Sequence, residues 1–198
     1  MKIVLATRNE NKIREIKEIL RGLDVELLTF RDIPNLPPVE ESGKTLKENA
    51  MLKAKSAYRH THLPSLADDS GLEVYALNGA PGVNSSRFAG ENCTYQDNNF
   101  RLLSLLHGVP REKRRATFIC VVALALSDEK ILVKQGKVSG YIADKQVGRQ
   151  GFGYDPLFYY PPKGKTFGQI SKEEKNRISH RARAFLQMKK ALSKGLSV

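Results

Sequence analysis

Cysteine is scarce in this 198-residue sequence. Cys93 and Cys120 stand alone, and two isolated thiols make neither a disulfide framework nor a structural zinc site. Long apolar runs are missing too. The longest, Phe118 to Leu126, is far short of the ~20 residues that a membrane-spanning helix needs. The opening Met1-Lys2-Ile3-Val4-Leu5-Ala6-Thr7-Arg8 is only briefly apolar and has no cleavage pattern behind it. A secretory signal is therefore not expected, and the chain reads as cytoplasmic, with no membrane partner. No internal repeat, low-complexity tract or linker-like stretch interrupts it. Acidic residues are the minority, 21 against 33 Lys and Arg, for a net charge of +12. Such an excess attracts anions, whether nucleic acid, acidic lipid or phosphorylated small molecules, without choosing among them. No zinc finger and no aromatic-rich RNA-binding signature accompanies the charge.

What is present is globular. Hydrophobic content is 40% and charged content 27%, both ordinary for a folded domain. The length fits one domain, or one domain with two lobes, and suffices to bury roughly 70% of the unfolded surface. Ile3 to Ala6 reads as a buried strand and Thr7 to Lys12 as a polar loop. Ile13, Ile16, Ile19 and Leu20 then recur at helical spacing, with Gly22 as the stop. Val25 to Thr29 reads as a strand, and Arg31 to Ser42, with Pro34, Pro37 and Pro38, as a loop. Thr45 and Glu48 form a capping box for the next helix, whose face carries Leu46, Ala50, Lys53, Ala54 and Ala57. Ser65 to Ala67 reads as a short strand running into a turn at Asp68-Asp69-Ser70-Gly71, with a strand resuming at Leu72. Thr94 and Asp97 cap a helix whose face is expected to hold Phe100, Leu103 and Leu106. Ala116 to Leu126 and Lys130 to Val138 read as a strand pair, the first apolar enough to be central. Gly136 and Gly140 are expected to bend the second. Ser171 and Glu174 mark another capping box before a final helix with Ile178, Ala182, Phe185, Leu186 and Leu192, and Ser179-His180-Arg181 is a local break in it. Alternation first and an antiparallel pair later give an α/β fold with a mixed sheet.

Two phosphate-loop look-alikes fail. Gly43-Lys44-Thr45 and Gly164-Lys165-Thr166 have Pro38 and Tyr159 where the motif needs its first glycine. Four other constellations carry chemistry. The carboxylates Glu40, Glu41 and Glu48 and the Asp68-Asp69 pair suit a hard divalent cation, since magnesium takes one or two carboxylates plus substrate phosphates. Taken alone, Asp-Asp-Ser-Gly is a weak signal and reads first as an ordinary turn, since turns favour Asp, Ser and Gly for their own backbone reasons. Thr7-Arg8-Asn9-Glu10-Asn11-Lys12 lies between a buried strand and a helix start, where hydroxyl, amide and cationic groups join the positive helix end to hold phosphate. Gly151-Phe152-Gly153-Tyr154-Asp155-Pro156 lets backbone approach a ligand closely and offers Phe152 for stacking on a base. Glu174-Lys175 through Ile178-Ser179-His180-Arg181 adds cations and a histidine.

These motifs, with Ser42-Gly43, Glu48-Asn49-Ala50 and Gly79-Ala80-Pro81-Gly82-Val83 between them, are similar in order and spacing to those of the inosine triphosphate pyrophosphatase family. The match runs from Lys2 to about Leu192. The resemblance implies a single domain over 1–198, with an elongated mixed β-sheet flanked by helices and two lobes around a central cleft. It implies a magnesium-dependent homodimer that hydrolyses inosine, deoxyinosine and xanthosine triphosphates to the monophosphate and pyrophosphate. Residue by residue, Asp69 matches the proton acceptor. Glu40, Asp68 and Asp69 match the metal region. Thr7, Arg8, Asn9, Glu10, Asn11, Lys12, Ser70, Phe152, Gly153, Tyr154, Asp155, Lys175, His180 and Arg181 match substrate-binding positions. Asn84, Gln169 and Arg149-Gln150 depart from the family's usual residues. A pyrophosphatase with another base preference and a basic nucleic-acid-binding module are the alternatives.

Overall fold

A strand, a polar loop and a helix open the chain. In the computed structural model, which describes residues 1–194, β1 (Lys2–Leu5) buries Ile3, Val4 and Leu5. The helix α1 (Glu10–Ile19) starts at Asn9, whose side chain accepts the amides of Asn11 and Lys12. There follow β2 (Glu26–Leu28), α2 (Leu46–Thr61), β3 (Ser65–Val74), β4 (Pro81–Gly82), α3 (Tyr95–Leu105), β5 (Arg115–Ala125) and β6 (Ile131–Ile142). The chain then passes through β7 (Phe158–Tyr160), β8 (Lys165–Thr166), α4 (Lys172–Ile178) and α5 (His180–Ser193). The eight strands make a mixed sheet in the order β2-β1-β3-β5-β6-β7-β8, with β4 on β3. No helix among the described residues is long and apolar enough to cross a membrane.

The chain divides into two compact units, each with its own core. The first comprises Met1–Asp69, Cys120–Gly136 and the stretch from His180. Here β1 pairs in parallel with β2 and with β3, Val4 facing Ser65 in register. Ile13, Ile16 and Ile19 of α1 and Phe185, Met188 and Leu192 of α5 close over Ile3, Leu5, Leu66, Val122 and Leu124. Each such side chain contributes ~1.5–3 kcal/mol by leaving water. Val4, Leu36 and Ala57 form a smaller cluster with α2. Gly136 is needed for this packing. A Cβ there would lie 2.2 Å from the His180 carbonyl and 2.5 Å from the Ala184 nitrogen.

The second unit comprises Ser70–Ile119 and Lys137–Ser179. Its core joins Leu72 and Val74, Leu102 and Leu106, Ala116 and Phe118, Val138 and Ile142, and Phe158 and Phe167. Phe118, Phe158 and Phe167 lie against one another with ring centroids 4.6 to 6.2 Å apart. Gly140 likewise admits the neighbouring strand, since a Cβ would meet the Tyr159 carbonyl at 2.3 Å. Along β5 every residue after Arg115 is buried, as expected of a strand covered on both faces.

Several local expectations are corrected. Asp68-Asp69-Ser70-Gly71 is no turn; it lies inside the continuous ten-residue β3. Phe100 is 56% exposed, and α3 instead buries Asn98, Asn99 and Leu102. The two asparagines are anchored inward: Asn98 accepts the Ala89 amide at 2.8 Å and Asn99 donates to the Gly153 carbonyl at 3.0 Å. The Ser171 hydroxyl caps Glu174, but the Glu174 carboxylate pairs with Lys163 at 2.6 Å rather than completing a box. The break expected at Ser179-His180-Arg181 does form, at Ser179, whose backbone is extended and separates α4 from α5. Leu186 faces outward.

Candidate active site

Within the first unit, β3 carries two adjacent carboxylates that are buried and held by cations. Asp68 is fully buried. Its Oδ2 lies 3.1 Å from the Lys12 ammonium and 3.4 Å from the Arg181 guanidinium. Arg181 is itself buried, and its other arm donates to Glu15 Oε2 at 2.6 Å. Asp69 projects to the other face of the strand, as period-two geometry requires. Its Oδ1 accepts from Lys53 Nζ at 3.0 Å and its Oδ2 from the Asn49 carboxamide at 3.3 Å. Lys53 also donates to Glu41 Oε1 at 2.6 Å.

The sequence builds this arrangement locally. The Thr45–Glu48 capping box forms reciprocally and fixes where α2 begins. Asn49 and Lys53 are one helical turn apart, so both reach Asp69 from one face. Asn49 also accepts the Gly43 amide at 2.8 Å, and a Cβ on Gly43 would lie 2.6 Å from its Oδ1. The Gly43-Lys44-Thr45 look-alike is thus a close-packed entry to α2. Residues 7–12 wrap the start of α1. Thr7 Oγ1 accepts the Asn9 amide at 3.2 Å, Arg8 donates to the Leu36 carbonyl, and Glu10 and Asn11 accept from Arg31 and Arg14. Lys12, one turn in, is the residue of this set that meets a carboxylate of β3.

Burial and charge compete at these groups, with different winners. Burial alone would raise the Asp68 pKa, but Lys12, Arg181 and Lys53 outweigh it and hold the carboxyl well below the usual range. For Asp69 burial wins over Lys53 and Lys12, and the carboxyl is raised. Burial disfavours the charge on Lys53, yet Asp69 and Glu41 more than restore it, and its pKa is raised. Arg181 follows the same pattern with Glu15 and Asp68.

In the second unit, the glycine-rich loop presents Phe152. Asp155 Oδ2 accepts the Phe152 amide at 2.7 Å and also takes the Lys175 ammonium. That ammonium lies 4.8 Å from the centroid of the Phe152 ring, and Tyr95 lies 5.9 Å from it, tilted by 42°. Gly151 has φ +74°, and a Cβ there would overlap the Asp155 carboxylate. Tyr154 is buried, which pushes its phenol upward, and it donates to the Ser85 carbonyl at 2.9 Å. Asp155, Lys175 and Tyr154 therefore hold the loop that displays Phe152.

The structure thus brings Lys12, Asp68, Asp69 and Arg181 together in the first unit, and Phe152, Gly153, Tyr154, Asp155 and Lys175 together in the second. His180 is buried at the start of α5, and Ser70 is half-buried next to Asp69 in β3. Glu40 is exposed; the loop carboxylate that reaches the cluster is its neighbour Glu41. Sequence reasoning also missed Asn49, Lys53 and Glu15. The spacing of Asn49 and Lys53 after a capping box was an available signal. For Glu15, a partly exposed helix residue, there was none.

No group of three or more His, Cys, Asp or Glu side chains placed to hold a metal occurs among the described residues. Two hard oxygen donors, Glu41 and Asp69, do converge on a single cationic centre, Lys53 Nζ. That donor set fits magnesium, which draws one or two carboxylates from protein and the rest of its shell from phosphate and water.

Comparison with known proteins agrees with the motif order. The Ham1 family model matches residues 3–191. A dITP/XTP pyrophosphatase of Geobacter sulfurreducens is 50% identical over 188 residues, covering 95% of this chain and 94% of the relative. One from Thermoanaerobacter sp. (strain X514) is 46% identical over 196 residues, covering 99% and 98%. Among solved structures, a HAM1 protein from Coxiella burnetii superposes with a TM-score of 0.90 at 41% identity, covering 98% of this chain and 99% of that one. The Staphylococcus aureus Ham1 protein gives 0.88 at 43% identity, covering 98% and 100%.

Proposed function

The chain belongs to the Ham1 family, and from that premise we propose that it hydrolyses noncanonical purine nucleoside triphosphates (ITP, dITP and XTP) to the monophosphate and pyrophosphate. The observation that carries the reading is the buried Asp68–Asp69 pair, braced by Lys12, Arg181 and Lys53 beside the start of α1. Relatives 46% and 50% identical over nearly the whole chain bear the name dITP/XTP pyrophosphatase.

In the proposed mechanism the Lys12 ammonium and polar side chains of residues 7–12 bind phosphate oxygens, aided by the positive end of α1. Asp69 takes a proton from water as that water attacks the α-phosphorus, and the bond to the bridging oxygen of the β-phosphate breaks. A raised pKa suits a proton acceptor working near neutrality. Bound magnesium supplies Lewis-acid neutralisation of the triphosphate oxygens, and Glu41 and Asp69 are the carboxylates that would hold it. Phe152 stacks on the purine, held in place by Asp155 and Lys175. His180, at the start of α5, supplies the donor that reads the 6-oxo group, while Arg181 is committed to Asp68 and Glu15. Adenine, with an amino group there, would leave such a donor unpaired, a large penalty in a desolvated site. The same reading takes the whole chain as one catalytic domain, working as a cytoplasmic homodimer.

A triphosphate panel tests the activity. Pure protein with magnesium should release pyrophosphate from ITP, dITP and XTP, with kcat/KM far above that for ATP and GTP. Orthophosphate alone, or no product, would refute it. Asp69→Asn should lower kcat by about 10²–10⁴-fold, the range for a lost general base, while its circular dichroism stays that of the parent.

A further inference from the structure

Lys53 has no role in the mechanism above, yet it occupies the most telling position in the first unit. Its side chain is only 11% exposed, and its ammonium sits between Glu41 at 2.6 Å and Asp69 at 3.0 Å. These are the two carboxylates whose donor chemistry fits the metal. The neighbouring carboxylate, Asp68, has Lys12 and Arg181 as its own cations. Asn49, the remaining partner of Asp69, is neutral. Lys53 is therefore the cation in direct contact with both members of the Glu41–Asp69 pair.

We propose that Lys53 is a built-in placeholder for the divalent cation: it occupies the Glu41–Asp69 position until a nucleotide brings the metal. The physical reason is charge. Two carboxylates and one ammonium sum to −1. Adding a divalent cation beside a retained ammonium leaves +1 in a largely buried place, where like charges repel strongly. A triphosphate removes that excess and gives the ammonium an anionic partner of its own. Bare metal thus binds weakly, and metal together with nucleotide binds well. A second consequence is that Asp69 stays oriented between turnovers, because the ammonium holds its Oδ1 while Asn49 holds Oδ2. The inference rests on the reading of Glu41 and Asp69 as the metal carboxylates.

The test reads metal binding, not turnover. Mn²⁺ alone is titrated into nucleotide-free protein and followed by calorimetry and by loss of the free-ion spin resonance signal. Lys53→Met should bind Mn²⁺ at least tenfold tighter than the parent. Lys53→Arg, which keeps the charge, should stay within about threefold of the parent. Adding Glu41→Gln to Lys53→Met should abolish the gain. In the parent, a nonhydrolysable α,β-methylene deoxyinosine triphosphate should tighten Mn²⁺ binding at least tenfold. If Lys53→Met fails to fold, Lys53→Gln takes its place in the same titration. No gain in the neutral variant, an equal gain in Lys53→Arg, a gain that survives Glu41→Gln, or no tightening by the nucleotide would each overturn the placeholder. Pyrophosphate release by the parent is read separately, so a placeholder that fails in an active enzyme fails alone.

Discussion

Asp68 and Asp69 are neighbours in one strand, yet their environments push them in opposite directions. Asp68 is depressed because three cations outweigh its burial. A carboxyl depressed in the fold adds stability above its unfolded pKa of ~3.9 and loses it as pH falls from there towards its folded value. Asp68→Asn should therefore cost about 3–5 kcal/mol at neutral pH, the range for breaking a buried ion pair. It should also flatten the acid limb of the stability curve, and urea unfolding at neutral and acid pH checks both expectations. Asp69 has the opposite sign. Its raised carboxyl favours the protonated fold, so its own contribution is present at low pH and disappears as pH climbs through the raised value. The types and order of these residues were legible in the sequence. Their partners were not, because Lys12, Lys53 and Arg181 come from three helices far apart along the chain.

At the scale of elements, local rules worked where local chemistry decides. The capping boxes Thr45–Glu48 and Thr94–Asp97 both form, because a hydroxyl and a carboxylate three residues apart can satisfy each other's amides wherever the helix lies. Local rules failed at Asp68-Asp69-Ser70-Gly71. Two aspartates, a serine and a glycine favour a turn by backbone preference. Here Lys12, Lys53, Asn49 and Arg181 compensate both carboxylates, and the segment stays in β3. Gly136 makes the same point, since its need for no side chain comes from α5 lying across it. Gly136→Ala should destabilise by about 3 kcal/mol, the upper end for overpacking, because backbone atoms rather than a flexible side chain stand in the way. A lower urea midpoint at unchanged slope would be the signature.

For the whole molecule, the net charge of +12 sets how an anionic substrate arrives. Raising ionic strength from about 0.01 M to about 0.15 M shortens the screening length from ~30 Å to ~8 Å. Steered association should weaken accordingly. For a magnesium triphosphate substrate, kcat/KM is expected to fall several-fold over that range while kcat at saturation changes much less. A flat kcat/KM would mean that the surplus positive charge lies where the substrate does not pass. The two units also differ in what they offer. The first concentrates ionised groups around β3, and the second builds an aromatic core and displays Phe152 on a buttressed loop.

By itself the sequence determined the α/β class, the capped starts of α2, α3 and α4 and the membership shown by the order of motifs, because periodicity, capping and glycine placement act over a few residues. Only the tertiary structure decided that Glu41 rather than Glu40 joins Asp69, that Lys53 stands between them, and that the aspartate pair lies in a strand. Those outcomes depend on which side chains long-range packing brings within ~4 Å of a buried charge, where a cation's attraction can outweigh lost hydration.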